Sequence, residues 1–557
     1  MKKTVAMLLC GAMVLSMVAC GSSETADTSA STEVKEEVKE EAAAPAEDAK
    51  EEEAPVEEAA EKTYDEHIEF TYTGFYSLFQ AANGHDIEAD PYVQWVEDKF
   101  NVTIDQWACE SANAAEEVRL WVNGGTMPDS MVWPDISIAE ISTYADQELI
   151  QPLPEGWEER WPNIAKMVKR SGYAELVKVD GLTYAIPHCT LGNFLEMDTP
   201  VSHSSMYFRK DWAEQVGMPD LGDDYTITYT ELEEYLTKVA EAGLCDNPVL
   251  GGDTKYLVNG FRHANGINDD DFFAGDDGYI WEPQQDGYVD FIKNMQDWYS
   301  RGLIDADFYT KDSATSLTEF QEGLTAALFY SAGVGNFQGI VNNLCDLAGV
   351  DKMDEEARAE YFNRFGLATV EAYDGNVYAD GIYNYWMMNT FSPECDEATM
   401  ERILDMVDWF CTKEGQASER CGIPGTDFSI DEEGIVTILN EDILSGEYEV
   451  SPSRYFNVWG YAGDDLAYAP GIPGRYTTDQ ELVLANYAVK LNGIIFEADD
   501  KVEALATDAK KNYSVDINAA LAEMITSNAD AESALADFIE TNKALWQPVV
   551  DDLNAAE

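Results

Sequence analysis

A break in composition near residue 66 constrains this chain more than any other single feature. Residues 21–62 read GSSETADTSASTEVKEEVKEEAAAPAEDAKEEEAPVEEAAEK, with no aromatic residue and almost nothing apolar to bury. Such a segment cannot offset its conformational entropy and is expected to stay extended and hydrated. From Ile68 onward the pattern changes to that of a globular protein with a large core. The whole chain of 557 residues is 45% hydrophobic and 11% aromatic, so the ordered part carries ample apolar material.

Acidity runs through both parts. Residues 21–66 hold 17 acids and 4 bases, and the 491 residues that follow hold 90 acids and 28 bases. With a formal charge of −73, the surface repels phosphate backbones and anionic headgroups. Nucleic-acid binding and a polybasic membrane patch are therefore excluded. The same charge favours a soluble monomer.

Ahead of the acidic segment, Lys2-Lys3 precedes an apolar stretch from Val5 to Val18. That length falls short of the roughly twenty residues needed to span a bilayer, and it suits a secretory leader. The stretch closes on Ser16-Met17-Val18-Ala19-Cys20-Gly21. This resembles a bacterial lipobox, with Met17 where Leu is more usual and Cys20 as the residue to be lipidated. Acyl chains on Cys20, each buried CH₂ contributing about 0.8 kcal/mol, would anchor the chain, and the acidic segment would act as its tether. No later run is long and apolar enough for a transmembrane helix. Cys109, Cys189, Cys245, Cys345, Cys395, Cys411 and Cys421 remain, odd in number and irregularly spaced, so buried thiols are expected rather than a disulfide framework. Cys411 and Cys421 are the two that a pairing would join.

In the body, Ile68, Phe70 and Tyr72 alternate with polar residues as in a half-buried strand. Tyr92, Val93, Val96 and Phe100 recur at helical spacing, and Val102-Thr103-Ile104 reads as a second strand. Strand, helix, strand at this spacing indicates an α/β unit with a parallel sheet. Thr230-Glu231-Leu232-Glu233 reads as a capping box opening a helix with Leu232, Tyr235, Leu236, Val239 and Ala240 on one face and Gly243 at its end. A second helix is expected from about Asp396 to Glu414, closed by Gly415, and a third from Ala531 to Leu545. Asp180-Gly181 is a tight-turn pair before Thr183–Ile186, a short apolar strand that Pro187 should stop. Such a segment is either a hinge strand between lobes or a plain hairpin.

Several stretches together resemble the extracellular solute-binding proteins of ABC importers, in particular the sugar- and oligosaccharide-binding lipoproteins of family 1. Gly124–Asp129 resembles a G-D-x-P-D turn, Tyr144–Leu153 the segment that follows it, and Val179–Pro187 the D-G-K-x-Y-G-I-P motif. Tyr207–Trp212 with Val216–Pro219 resembles Y-R-K-D-W…G. Trp298–Asp305, Phe320–Ala327, and Asp408–Gly415 with Gly422–Phe428 complete the series in family order, although Pro424 departs from the pattern and the chain after 440 is poorly covered.

The resemblance implies an α/β, two-lobed periplasmic-binding-protein-like fold of type II, its lobes joined by hinge strands around a cleft. The implied organisation is a signal peptide at 1–20, an acidic tether at 21–66, one lobe from 67–187 and 384–455, and a second from 188–383 and 456–557. A return crossing is implied near Tyr383 to Asn389. The protein would sit lipid-anchored on the outer face of the cell membrane and pass its solute to permease subunits.

A sugar presents apolar C–H faces fringed by hydroxyls, so a binder needs aromatic platforms and polar groups. The aromatics in or beside predicted loops are Phe75, Tyr76, Trp133, Tyr330, Tyr385, Trp386 and Trp459, and these with Arg209 are the candidate ligand-binding residues. Any one of the aromatics can instead be core, and Arg209 can instead pair with Asp211. Catalytic signatures are missing: H-E-x-x-H, G-x-S-x-G, the phosphate-binding G-x-x-x-x-G-K and the dinucleotide-binding G-x-G-x-x-G do not occur. The five histidines show no ligand spacing. Asn268–Asp271 lacks the EF-hand pattern because Phe272 and Phe273 occupy needed positions, so a solvated loop is expected there and no metal or cofactor. The expected function is non-enzymatic capture of a carbohydrate, an oligosaccharide by preference. An extracellular glycan-degrading enzyme and a binder of peptides or lipid-linked solutes are the alternatives.

Overall fold

The computed structural model describes residues 62–73, 90–107, 114–134, 136–188, 201–352, 354–381, 387–431, 436–440 and 477–556. The leader, Cys20, nearly all of the tether, Cys109 and Cys189 lie outside them. Within the body, two mixed five-stranded sheets organise the chain.

The first sheet begins as the periodicity predicts. Strand β1 (Ile68–Thr73) pairs in parallel with β2 (Val102–Gln106), Phe70 opposite Ile104, and the helix between them is α1 (Pro91–Phe100). Asp90 starts α1 by accepting from the amides of Tyr92 and Val93, and Asn101 ends it in the left-handed region at φ 50°. Strand β3 (Ser130–Pro134) adds on the other side of β1. The Pro128-Asp129 turn is fastened to β1 by its carboxylate. Asp129 Oδ2 accepts from the amide and the hydroxyl of Thr71, both at 2.7 Å.

Next comes a two-residue hairpin, β4 (Lys178–Val179) and β5 (Leu182–Thr183), turned by Asp180 at φ 51° and Gly181 at φ 81°. The hairpin is real, but the chain then forms β6 (Ile186–His188), and Pro187 sits inside that strand rather than stopping it. Strand β6 is an edge of the first sheet, where a missing N–H is tolerated.

The strands of the second sheet are β7 (Ser204–Arg209), β8 (Thr226–Thr228), β9 (Leu250–Gly251), β12 (Ala327–Ser331) and β13 (Phe365–Glu371). Their order across the sheet is β8-β13-β7-β12-β9. Between β9 and β12 lies a hairpin of β10 (Phe272–Gly275) and β11 (Gly278–Trp281). The helix after β8, α2 (Tyr229–Ala242), buries Leu232, Tyr235, Leu236 and Val239 and ends at Gly243 as expected. Its cap is different. Thr228, not Thr230, caps it, with Glu231 completing the box. Two overlapping T-x-x-E patterns offered themselves, and the earlier start buries Tyr229 to 3% exposure. A second helix, α3 (Tyr256–Ala264), follows β9.

After β13 the chain forms β14 (Tyr378–Asp380) and returns to the first sheet as β15 (Met387–Phe391), antiparallel to both β3 and β6. The first sheet is thereby completed in the order β2-β1-β3-β15-β6. The helix expected from 396 to 414 is two helices, α4 (Glu397–Phe410) and α5 (Lys413–Cys421). Thr412 caps α5, so Gly415 lies inside a helix instead of ending one, and a Cβ there would stand 2.1 Å from the carbonyl oxygen of Trp409. Cys411 and Cys421 remain buried thiols.

A long helix, α6 (Thr477–Leu491), packs on the second sheet, and the short strand Ile494–Phe496 pairs with β14. The expected C-terminal helix is likewise split, into Ala531–Thr541 and Lys543–Ala555. These helices share one core with the second sheet, Trp281 stacking on Trp546 at 5.5 Å. The core of the first sheet draws instead on α4, through Ile403, Leu404, Val407 and Phe410.

Candidate ligand site

Strand direction locates the site. In the first sheet β1, β2, β3 and β6 are parallel, so Thr73, Gln106, Pro134 and His188 share its carboxyl edge, joined by Met387 at the start of antiparallel β15. In the second sheet β8, β9, β12 and β13 are parallel, and their carboxyl edge carries Thr228, Gly251, Ser331 and Glu371, with Ser204 at the start of antiparallel β7. The chain leaves the first sheet at His188 and enters the second at Ser204. It leaves β14 at Asp380 and re-enters the first sheet at Met387. The first connection therefore runs from carboxyl edge to carboxyl edge, and the second returns to the first sheet at that same edge. Ligands of open α/β sheets are met outside such edges.

At the edge of the second sheet, Tyr330 is half-buried and its ring centroid lies 5.2 Å from that of Tyr256. Asp253, just beyond β9, accepts from the amides of Lys255 and Tyr256 at 3.1 and 2.9 Å and from the hydroxyl of Ser313. It thereby orients the start of α3. Lys255 Nζ lies 5.2 Å from the Tyr256 ring. A pocket of about 450 Å³ continues along this helix, lined by Lys255, Asn259, Arg262, Asp269, Glu282 and Asn518 among others. Arg262 donates there to Glu282 and to Asn518, both at 2.8 Å.

Some of the unsatisfied buried polar groups lie at the two edges. His188 is 2% exposed and, among the described residues, neither ring nitrogen has a partner; burial pulls its pKa down to about 3. The Nδ1 of His203 has no partner, and burial, then the charges of Lys490 and Lys255, lowers its pKa to about 4. The side-chain amide of Gln106 is likewise buried without a bond. Buried polar groups are nearly always bonded, so orphans at a strand edge suit hydroxyls of a guest.

The candidate residues separate accordingly. Tyr330 is at the carboxyl edge of the second sheet, and Trp133 occupies the penultimate position of β3, at the carboxyl edge of the first. Arg209 is at the wrong end. Ser331 pairs with Ser204 while Arg209 pairs with Phe365, so Arg209 stands about 16 Å along the strand from the site. Its guanidinium grips Asp211 at 2.8 and 2.5 Å and stacks on Trp212, which is the alternative its sequence neighbours offered. Phe75, Tyr76, Tyr385, Trp386 and Trp459 fall outside the described residues.

Sequence reading passed over Tyr256, Asp253, His188 and His203. The Gly251-Gly252-Asp253 run between a strand and a helix was the available signal for the first two. The Asn268–Asp271 loop is solvated only in part: Asn268 is 5% exposed and bonded to Gln285, Asp269 and Asp270 are half-buried and Asp271 is exposed, and burial together with the charge of Asp380 raises the pKa of Asp269 well above the usual range.

Comparison with solved structures gives the architecture its place. The alginate-binding protein AlgQ2 superposes with a TM-score of 0.59 over 89% of this chain and 99% of that one, at 16% identity. This is a solute-binding-protein fold. A solute-binding protein of Bifidobacterium longum infantis described as binding HMO has a TM-score of 0.55, covering 88% of this chain and 96% of its own at 14% identity. FusA of Streptococcus pneumoniae, in complex with kestose, gives 0.55 over 87% and 96% at 15% identity. In sequence, the fructooligosaccharide ABC transporter substrate-binding protein FusA is 25% identical over 240 residues, 40% of this chain. That match spans 42% of FusA's length. No protein-family model matches. Among the described residues, no helix is long and apolar enough to cross a membrane.

Proposed function

We propose that this chain is an extracellular solute-binding lipoprotein of an ABC importer that captures a carbohydrate, an oligosaccharide by preference, and hands it to membrane permease subunits. One observation carries the reading: the carboxyl edges of two separate sheets are joined by the chain's own crossing, and an aromatic pair stands at one of them. The names of the structural neighbours, which include binders of alginate, kestose and HMO, support the choice of glycans. The lobes are taken as 67–187 with 384–455 and 188–383 with 456–557. Lipidation at Cys20 and the acidic tether at 21–66 complete the proposal, placing a monomer on the outer face of the membrane.

Binding needs no catalytic group. A guest that touches both lobes only when they are closed shifts the population toward closure by its differential affinity. The test is a thermal-shift screen of residues 63–557 against neutral, amino and acidic oligosaccharides, peptides and lipid-linked solutes, with product analysis of each incubation. Stabilisation by a glycan that is recovered intact is the expected result. Cleavage of the glycan, or stabilisation by peptides alone, overturns it.

A further inference from the structure

Lys490, in the last turn of α6, is 4% exposed. Its Nζ donates to the carbonyl of Ser202 at 2.9 Å and to that of Ser204. Among the described residues, no carboxylate lies within ion-pair distance of it. A buried ammonium held only by carbonyls is unusual, because desolvation of a charge is costly unless an opposite charge offsets it.

The place of this lysine gives it consequence. Ser202 is in the segment by which the chain enters the second sheet, and its amide donates to the carbonyl of Asp380 at 2.7 Å. Val201 and Gly381 form an antiparallel bridge, so the incoming and outgoing segments are paired at this point. Asp380 is fixed in turn by His263 Nε2 at 2.8 Å and by Asn259 at 3.2 Å, and Gly381 donates to the carbonyl of Phe496 at 2.7 Å. The titratable groups facing Lys490 are Asp380 from β14 and His203 from the entering segment, with His263, Lys255 and Asp269 beyond them.

We propose that Lys490 is the positioning residue of the hinge: it ties the entering segment to α6, and loss of its proton tightens the tie. The segment is a hinge only if the chain is the two-lobed binder proposed for it, but the tie itself is measurable without a ligand. Opening the segment lets water reach the ammonium and relieves its desolvation, so the charged form favours opening and the neutral amine, which keeps two N–H donors, favours the packed form. Burial brings the group's pKa down to about 7, which puts the change near neutral pH.

The experiment is hydrogen exchange of the full mature chain without ligand from about pH 6 to 9, corrected for intrinsic exchange. Protection of peptides covering 201–206 should rise with pH above about 7, by up to roughly tenfold per pH unit. Lys490→Gln keeps two donors without a titrating proton, so it should hold protection within about threefold of the wild type at pH 8 and abolish the slope. Lys490→Met removes the donors and should lose about tenfold or more at every pH. A flat wild-type profile, an unchanged slope in Lys490→Gln, or full protection in Lys490→Met overturns the proposal. Should Lys490→Met fail to fold, the contrast between the wild type and Lys490→Gln decides. A chain that binds no glycan but shows the slope defeats only the carbohydrate reading, and a glycan binder without the slope defeats only the hinge.

Discussion

Tyr330 and Tyr256 meet with ring centroids 5.2 Å apart and planes inclined by 49°, at the same sheet edge where the chain arrives from its other half. Neither ring is fully buried. Tyr330 stands one residue before the end of β12, and Tyr256 opens the helix that follows β9. The pair forms a partly open aromatic corner of the kind that can receive the C–H face of a sugar ring.

Replacing either tyrosine by alanine should weaken glycan affinity by about 1–2 kcal/mol, roughly tenfold, with little change in melting temperature. Arg209→Gln should leave affinity within about twofold, since Arg209 lies at the opposite end of β7. Isothermal titration with the glycan found by the screen checks both. A large loss of affinity in Arg209→Gln would return that residue to the site.

The cap of α2 offers a test on stability alone. Thr228→Ala should cost about 1 kcal/mol in urea unfolding, because the amide of Glu231 loses its acceptor. Thr230→Ala, two residues later and already helical, should change stability by less than about 0.5 kcal/mol.

Two helical glycines should respond with opposite signs. Gly415→Ala forces a Cβ against the Trp409 carbonyl, with no flexible atom to yield, and should destabilise by about 2 kcal/mol or more. Gly339, in the helix Val334–Ala348, has open space around its Cβ position. Gly339→Ala should stabilise by about 0.5–1 kcal/mol. Paired denaturation curves give both values.

Protonation of two buried histidines should weaken the fold. The folded pKa values of His188 and His203 lie at about 3 and about 4, below the ordinary value of 6.5. Between those limits the unfolded imidazoles bind more protons than the folded ones, so the stability these two residues contribute falls as pH drops below about 6.5, against the opposite contribution of Asp270, whose buried carboxyl is raised to about 7. Each histidine should remove about 2 kcal/mol by about pH 5. His188→Asn should remove about 2 kcal/mol of pH dependence between about pH 7 and 5 relative to the wild type; a profile parallel to the wild type's would show that His188 contributes none of it.

The buried pair Arg358–Asp479 joins the helix Glu355–Phe362 to α6 through contacts of 3.0 and 2.5 Å. Asp479→Asn removes the carboxylate that offsets a guanidinium 3% exposed, leaving it the side chain of Asn342 at 3.1 Å, and should cost about 3 kcal/mol. Unfolding midpoints of the single variant and of the double Arg358→Met, Asp479→Leu variant compare the two. The double variant is expected to recover much of the loss.

Local pattern was enough to read β1, α1, β2 and the buried face of α2, because a strand or helix writes its own period into the residues it buries. It was less reliable at boundaries. Thr228 won over Thr230, and one expected helix broke at Cys411, since caps are chosen by which apolar neighbour each start buries. Pro187 belonged to a strand because β6 is an edge, and nothing within a few residues of Pro187 records which strand becomes one.

From the amino-acid order alone came the acidic segment after the apolar leader, the α/β alternation and the run of short motifs that pointed to a two-lobed binder, because each depends on residues close together in the chain. Only the folded molecule decided that Tyr330 shares an edge with Tyr256 while Arg209 is turned away from it. It also set Lys490 against the carbonyl of Ser202, 288 positions earlier. Strand direction and sheet order bring such residues together, and those are settled by the burial of both sheets at once rather than by any local period.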